Sequence, residues 1–85
     1  MTPETFLDQA ANILADRRST YGDPRQSMVA IAARWSITLG QPVTPAQVVL
    51  CMIDLKLARL VRDPRHLDSL RDVAGYAAVL REVSR

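Results

Sequence analysis

The chain has 85 residues, 48% of them apolar and 24% charged, with three glycines and no low-complexity run. That composition excludes a disordered chain, and one globular unit over residues 1–85, near the lower size limit for independent folding, is expected. The net charge of +2 comes from ten arginines and one lysine scattered along the chain, so no basic block of the kind that holds duplex nucleic acid is present.

Thr2-Pro3-Glu4 supplies an N-cap, a proline for the first helical position and an acid for the positive helix end. Phe6, Leu7, Ala10, Ile13 and Leu14 continue at helical spacing, which predicts a helix over about 3–20 that ends before Gly22. Asp23-Pro24-Arg25-Gln26 repeats the start signal, with the glutamine placed for a capping box. Met28, Ile31, Ala32, Trp35 and Leu39 follow as a stripe, so a second helix is expected over 24–39, stopped by Gly40. Thr44-Pro45-Ala46-Gln47 opens a third over 45–62, ended by Asp63-Pro64.

Val48 to Val61 is apolar nearly all round, the pattern of a helix covered on several sides, so the third helix is expected to be the central or interface element. Cys51 lies in that run and reads as a buried small hydrophobe in a reducing compartment, with no partner for an internal disulfide. A fourth helix, over 67–83, directs Leu70, Val73, Ala74, Ala77 and Leu80 inward. Trp35, Phe6 and the methionines read as core, and His66 as a loop residue beside a helix start. Short connections predict antiparallel neighbours. The fold class is all-α, a four-helix antiparallel bundle-like domain, completed by oligomerisation because so small and apolar a chain cannot hide its own surface. The opening residues lack the features of a signal peptide and no apolar run has membrane-spanning length, so a cytoplasmic protein without a membrane partner is expected.

Three groups of residues could carry chemistry. Asp54, Lys56 and Arg59 interrupt the apolar third helix and need partners, since burying such groups alone is costly. Asp68, Asp72 and Tyr76 recur every four residues on one face of the fourth helix, with Gly75 beside them permitting close approach. Opposed, these faces form either a closed salt-bridge network or a pocket. The third group, Arg17-Arg18-Ser19-Thr20-Tyr21-Gly22-Asp23, joins two cations, an aromatic ring and a helix start, a combination suited to phosphate. The competing reading is a tight turn in which Asp23 only caps and Tyr21 plugs the core. For a metal such as Mg²⁺ the one candidate set of oxygen ligands is Asp68 and Asp72, joined by Asp54. No zinc-ligand spacing and no glycine-rich phosphate loop occurs.

Arg18, Tyr21-Gly22-Asp23-Pro24, Ile31-Ala32, Trp35, Thr44-Pro45, Lys56-Leu57-Ala58-Arg59-Leu60, His66-Leu67-Asp68-Ser69 and Asp72-Val73-Ala74-Gly75-Tyr76-Ala77 together resemble a family of short phage and prophage proteins. More distantly, the Lys-x-x-Arg helix followed by Asp-x-x-Gly-Tyr is similar to phage nucleotide-modification-associated domains and, through them, to MazG-type all-α nucleotide pyrophosphohydrolases. That resemblance implies a nucleotide ligand, Mg²⁺ held by acidic residues on two helices, and a host-cell cytoplasmic location. The chain departs from the pyrophosphohydrolases in lacking their Glu-x-x-Glu motif, as its glutamates are Glu4 and Glu82.

Three functions follow as expectations. The first is a nucleotide-binding protein, in which Arg17, Arg18, Lys56 and Arg59 hold phosphates, Tyr21 or Tyr76 stacks on a base, and Asp23, Asp68 and Asp72 complete the site. It would serve nucleotide metabolism or sequester a signalling nucleotide. The second is a reduced Mg²⁺-dependent pyrophosphohydrolase with Asp54, Asp68 and Asp72 as ligands. The third is a non-catalytic interaction module in which the charges only fix helix register.

Overall fold

The computed structural model describes residues 1–84 and contains four helices: α1 (Pro3–Tyr21), α2 (Pro24–Leu39), α3 (Pro45–Arg62) and α4 (Leu67–Val83), with no strand among the described residues. The fold is all-α with bundle-like packing. Thr2, Asp23 and Thr44 are the N-caps of the first three helices, each followed by proline. At α3 the capping box is complete, with Thr44 and Gln47 each accepting from the other's backbone N–H. At α2 it is not formed: the Asp23 carboxylate takes the Arg25 N–H at 2.9 Å, while the Gln26 N–H bonds the Asp23 carbonyl. Gly40 closes α2 in the left-handed conformation (φ 69°), where only glycine is free of steric cost.

The α4 helix, not α3, is the hub, since it packs on all three other helices. α3 runs antiparallel to it: Lys56, late in α3, meets Asp72, early in α4, whereas Val48 and Val49 from the start of α3 cluster with Val79. Antiparallel packing fails for α1 and α2. The link is Gly22 at positive φ (85°) followed by the extended Asp23, and it does not fold α1 back onto α2, which is not among the helices that pack closely on α1. α1 instead lies across α4, with Gln9 reaching Arg71 and Arg18 reaching Glu82.

The core is thin. Met28, Ala32, Val48, Val49 and Val79 are buried, and Leu14, Trp35, Met52, Tyr76 and Leu80 pack around them. Ser36 ties the α2–α3 connection to this core by accepting the Val43 N–H at 2.9 Å. In α3 only Val48 and Val49 are fully buried; Leu50, Leu55, Leu57 and Val61 are exposed, as is Cys51. The expectation of a buried cysteine in a helix covered on several sides therefore fails, because α3 meets neighbours on one flank only. Leu7 and Leu39 are exposed and Phe6 is half-buried outside the core cluster, which corrects their place in the apolar stripes.

The accessible surface is 6032 Å² and the radius of gyration 13.7 Å. A compact monomer of 9.4 kDa is expected to expose roughly 5,000 Å² and to have a radius near 12 Å. The surplus is what an apolar α3 flank and a peripheral α1 leave uncovered. With so few buried side chains each one matters: Val49→Ala is expected to cost about 2 kcal/mol and to lower the melting temperature by roughly 10 °C, measured by thermal denaturation.

Candidate functional site

Asp72 is the meeting point of three helices. Its carboxylate lies 3.0 Å from Lys56 Nζ of α3 through Oδ2 and 3.3 Å from Arg17 of α1 through Oδ1. The Lys56 and Asp72 side chains are each 13% exposed, and Arg17 is 54% exposed. Helical phase explains the pairing: Lys56 and Arg59, three residues apart, share the α3 face turned to α4, on which Asp68 and Asp72 recur at one turn.

Two cavities flank this ion triad and share Ile13, Arg17, Arg71 and Asp72 as their common wall. The first is a polar cavity of about 300 Å³ between α3, α4 and α1, lined also by Lys56, Arg59, His66, Asp68 and Ser69. Four cationic side chains line it against two carboxylates. Arg59 makes no ion pair among the described residues, and Arg71 Nε is buried without a hydrogen-bond partner although its terminal nitrogens reach Gln9 and Asp68. An orphaned buried donor costs about 1–3 kcal/mol unless a ligand or water satisfies it. The second is a mainly apolar groove of about 170 Å³ between α1, α4 and the start of α2, with Ala10, Leu14, Met28, Tyr76 and Val79 on its walls and Arg18 and Tyr21 along it.

The residues singled out from the sequence divide sharply. Arg17, Lys56, Arg59, Asp68 and Asp72 come together around the polar cavity, whereas Arg17, Arg18, Tyr21, Asp72 and Tyr76 line the groove. Tyr21 is 77% exposed and does not plug the core, while Tyr76 packs on it. Arg18 is engaged by Glu82 at 3.0 Å and by Asp23 at 3.9 Å. Asp23 lines neither cavity and caps α2, so the carboxylate occupies the helix end expected to receive phosphate.

The three aspartates expected to hold a metal are not gathered. Two residues from Lys56 on a helix, Asp54 points about 200° away from it, to the exposed flank. The Asp68 side chain is 82% exposed, and both Asp72 oxygens are taken by cations. Among the described residues no group of three acidic, histidine or cysteine side chains could hold an ion. Gly75 likewise makes no close approach, as a Cβ built on it meets nothing within 4 Å. A glycine inside a helix costs roughly 0.5–1 kcal/mol relative to alanine, and here no neighbour requires it.

His66, Ser69 and Arg71 line the polar cavity, with Gln9 accepting from Arg71 beside it, and were not found from the sequence as site residues. His66 is the N-cap of α4: its Nδ1 accepts the Ser69 N–H at 3.3 Å and lies 2.7 Å from the Oγ of the fully buried Ser69. Accepting through Nδ1 places the ring proton of the neutral imidazole on Nε2. The signal available was the spacing His66-x-x-Ser69, which is a capping arrangement with histidine in place of the usual short polar residue.

The chain belongs to the family described as Domain of unknown function (DUF6378), whose model matches residues 5–84. Within that class it is similar to the Gene 55 protein of Mycobacterium phage L5, 38% identical over 81 residues, and to the Gene 55 protein of Mycobacterium phage D29, 32% identical over 81 residues. These alignments cover 93% and 94% of this chain but 52% and 54% of the relatives, so the chain spans about half the length of the curated relatives it matches. No solved structure matches it. No helix among the described residues is long and apolar enough to cross a membrane.

The two ion pairs on Asp72 differ in burial, and their worth should differ accordingly. A double-mutant cycle on Lys56 and Asp72 is expected to give a coupling of about 1–3 kcal/mol, against less than about 1 kcal/mol for the half-exposed Arg17 and Asp72, read by denaturant unfolding of the alanine variants.

Proposed function

We propose that this protein binds a nucleotide or a closely related phosphate-bearing small molecule, with the phosphates in the polar cavity between α3, α4 and α1. The observation that carries this reading is the excess of cations in that cavity: Arg17, Lys56, Arg59 and Arg71 face two carboxylates, and Arg59 has no ionic partner among the described residues. A phosphate entering it gains charge-assisted bonds from Lys56 and Arg71, which are largely covered and held by the surrounding helices, and from the exposed Arg59 at the rim. Arg59 and Arg71 Nε are the groups whose bonding improves, while Lys56 and Arg17 stay anchored by Asp72. Arg18, Tyr21 and Tyr76 belong to the ligand's other end, along the groove. The reading is one of binding, in the service of nucleotide metabolism or sequestration. Mg²⁺-dependent hydrolysis needs several carboxylates free to hold an ion and orient water, and here Asp72 is engaged by two cations while Asp54 lies on the opposite flank of α3.

A ligand that binds only the folded protein raises its melting temperature, by an amount equivalent to about 2.7 kcal/mol at a hundredfold excess over Kd. A thermal-shift series with nucleoside and deoxynucleoside mono-, di- and triphosphates is expected to yield such shifts without Mg²⁺. Arg59→Ala should leave the unliganded melting temperature nearly unchanged and weaken binding by roughly tenfold, the value of one charge-assisted bond. Absence of any shift at millimolar nucleotide would overturn the proposal.

Self-association is part of the same proposal. Leu50, Leu57 and Val61 form an exposed stripe on α3, and the surplus surface of about 1,000 Å² is close to the roughly 800 Å² that each partner contributes to a standard interface. Sedimentation equilibrium is expected to give a mass above 9.4 kDa for the chain and a shift toward monomer in Leu57→Lys.

A further inference from the structure

We infer that the apolar groove is the ring pocket of the same ligand, and that Gly75 sets what fits there by presenting no side chain. The inference rests on the phosphate reading of the adjoining cavity.

The two cavities are not independent features. Arg17, Arg71, Asp72 and Ile13 wall both of them, so a molecule whose anionic end sits among Lys56, Arg59 and Arg71 has its other end at the mouth of the groove. Each cavity alone is at or below the lower limit for a small-molecule site, whereas an amphiphilic ligand spanning the wall uses both. Their chemistries are complementary: the polar cavity is cationic, and the groove is bounded by aliphatic and methionine side chains with two tyrosines. A planar ring joined to a phosphate has that same division, and Tyr76, held against the core, offers an aromatic surface.

Gly75 lies on the groove wall one residue before Tyr76 and well inside α4. The usual reasons for a mid-helix glycine are missing. Its φ is not positive, since the positive-φ glycines are Gly22 and Gly40. No other helix presses against it, because the space above its Cα is open. What the missing side chain does is widen the groove, and any larger residue would project into the volume a ring would take.

The test compares the wild type with Gly75→Ala and Gly75→Leu, using ATP, GTP and dTTP as ring-bearing probes and inorganic tripolyphosphate as the ringless one, with affinities from isothermal titration calorimetry. Both variants are expected to melt at or above the wild-type temperature, since each removes a helix glycine. The nucleotide that binds wild type most tightly should lose about tenfold or more in affinity in Gly75→Leu, with a smaller loss in Gly75→Ala, while tripolyphosphate affinity stays unchanged. Unchanged nucleotide affinity in Gly75→Leu would overturn the ring pocket and leave the phosphate reading standing. Equal wild-type affinities for nucleotides and tripolyphosphate, or a parallel loss of both in the variant, would overturn it in the same way. A change in sedimentation behaviour of Gly75→Leu in place of a change in affinity would assign the groove to a second copy of the chain. Failure of both nucleotides and tripolyphosphate to bind wild type removes the phosphate reading and the ring pocket with it.

Discussion

The architecture depends on one carboxylate. Asp72 stands where α1, α3 and α4 converge and holds a cation from each of the other two helices. Lys56 would be costly to leave in a site only 13% open to solvent, and Asp72 is the acid its face of α3 meets. The pair is therefore a constraint on helix register as much as an attraction: moving Lys56 out of reach of Asp72 would take from a largely covered ammonium the carboxylate 3.0 Å from it. Arg17 extends the constraint to α1, whose remaining polar ties to α4 run from Gln9 to Arg71 and from Arg18 to Glu82.

That polar junction has to carry more than usual because the apolar core is small. Val48 and Val49 are fully buried at the start of α3, but more than three turns further on Val61 lies open. The charged end of the α3–α4 contact is thus the end where burial fades, and the ion triad marks the change from core to cavity. The same geometry opens a site: long side chains meeting at a splayed helix junction leave gaps between them, and those gaps are lined by the guanidinium and ammonium groups that made the junction. In the proposed site, structure and binding draw on the same residues, which is why Arg59, which has no ionic partner among the described residues, is the cleanest handle on the proposal.

Much of the site was visible in the residue spacing. Lys56 and Arg59, like Asp68 and Asp72, declare a common face by their separations, and antiparallel helices bring those faces together. Asp54 shows the limit in the other direction: helical phase alone puts it on the side opposite Lys56, so its exclusion from the cluster was legible too. What spacing could not reveal was whether the faces close. The structure does both, neutralising Asp72 while leaving Arg59 without an ion pair and Arg71 Nε without a hydrogen bond among the described residues. Arg71 and Gln9 were beyond reach because their contact joins residues 62 apart in sequence, and only the position of α1 on α4 creates it.

The sequence by itself determined the local structure. Thr2, Asp23 and Thr44, each followed by proline, and Gly22 and Gly40 act through bonds within a few residues of themselves, so four helices and their capping follow from short-range chemistry. The tertiary structure alone decided which helix is central and where α1 goes. An apolar sequence says that a surface resists water, not which neighbour will cover it. α3, the most apolar helix, has an open flank, and α4 is the hub because α1, beyond the Gly22-Asp23 link, packs on it and not on α2.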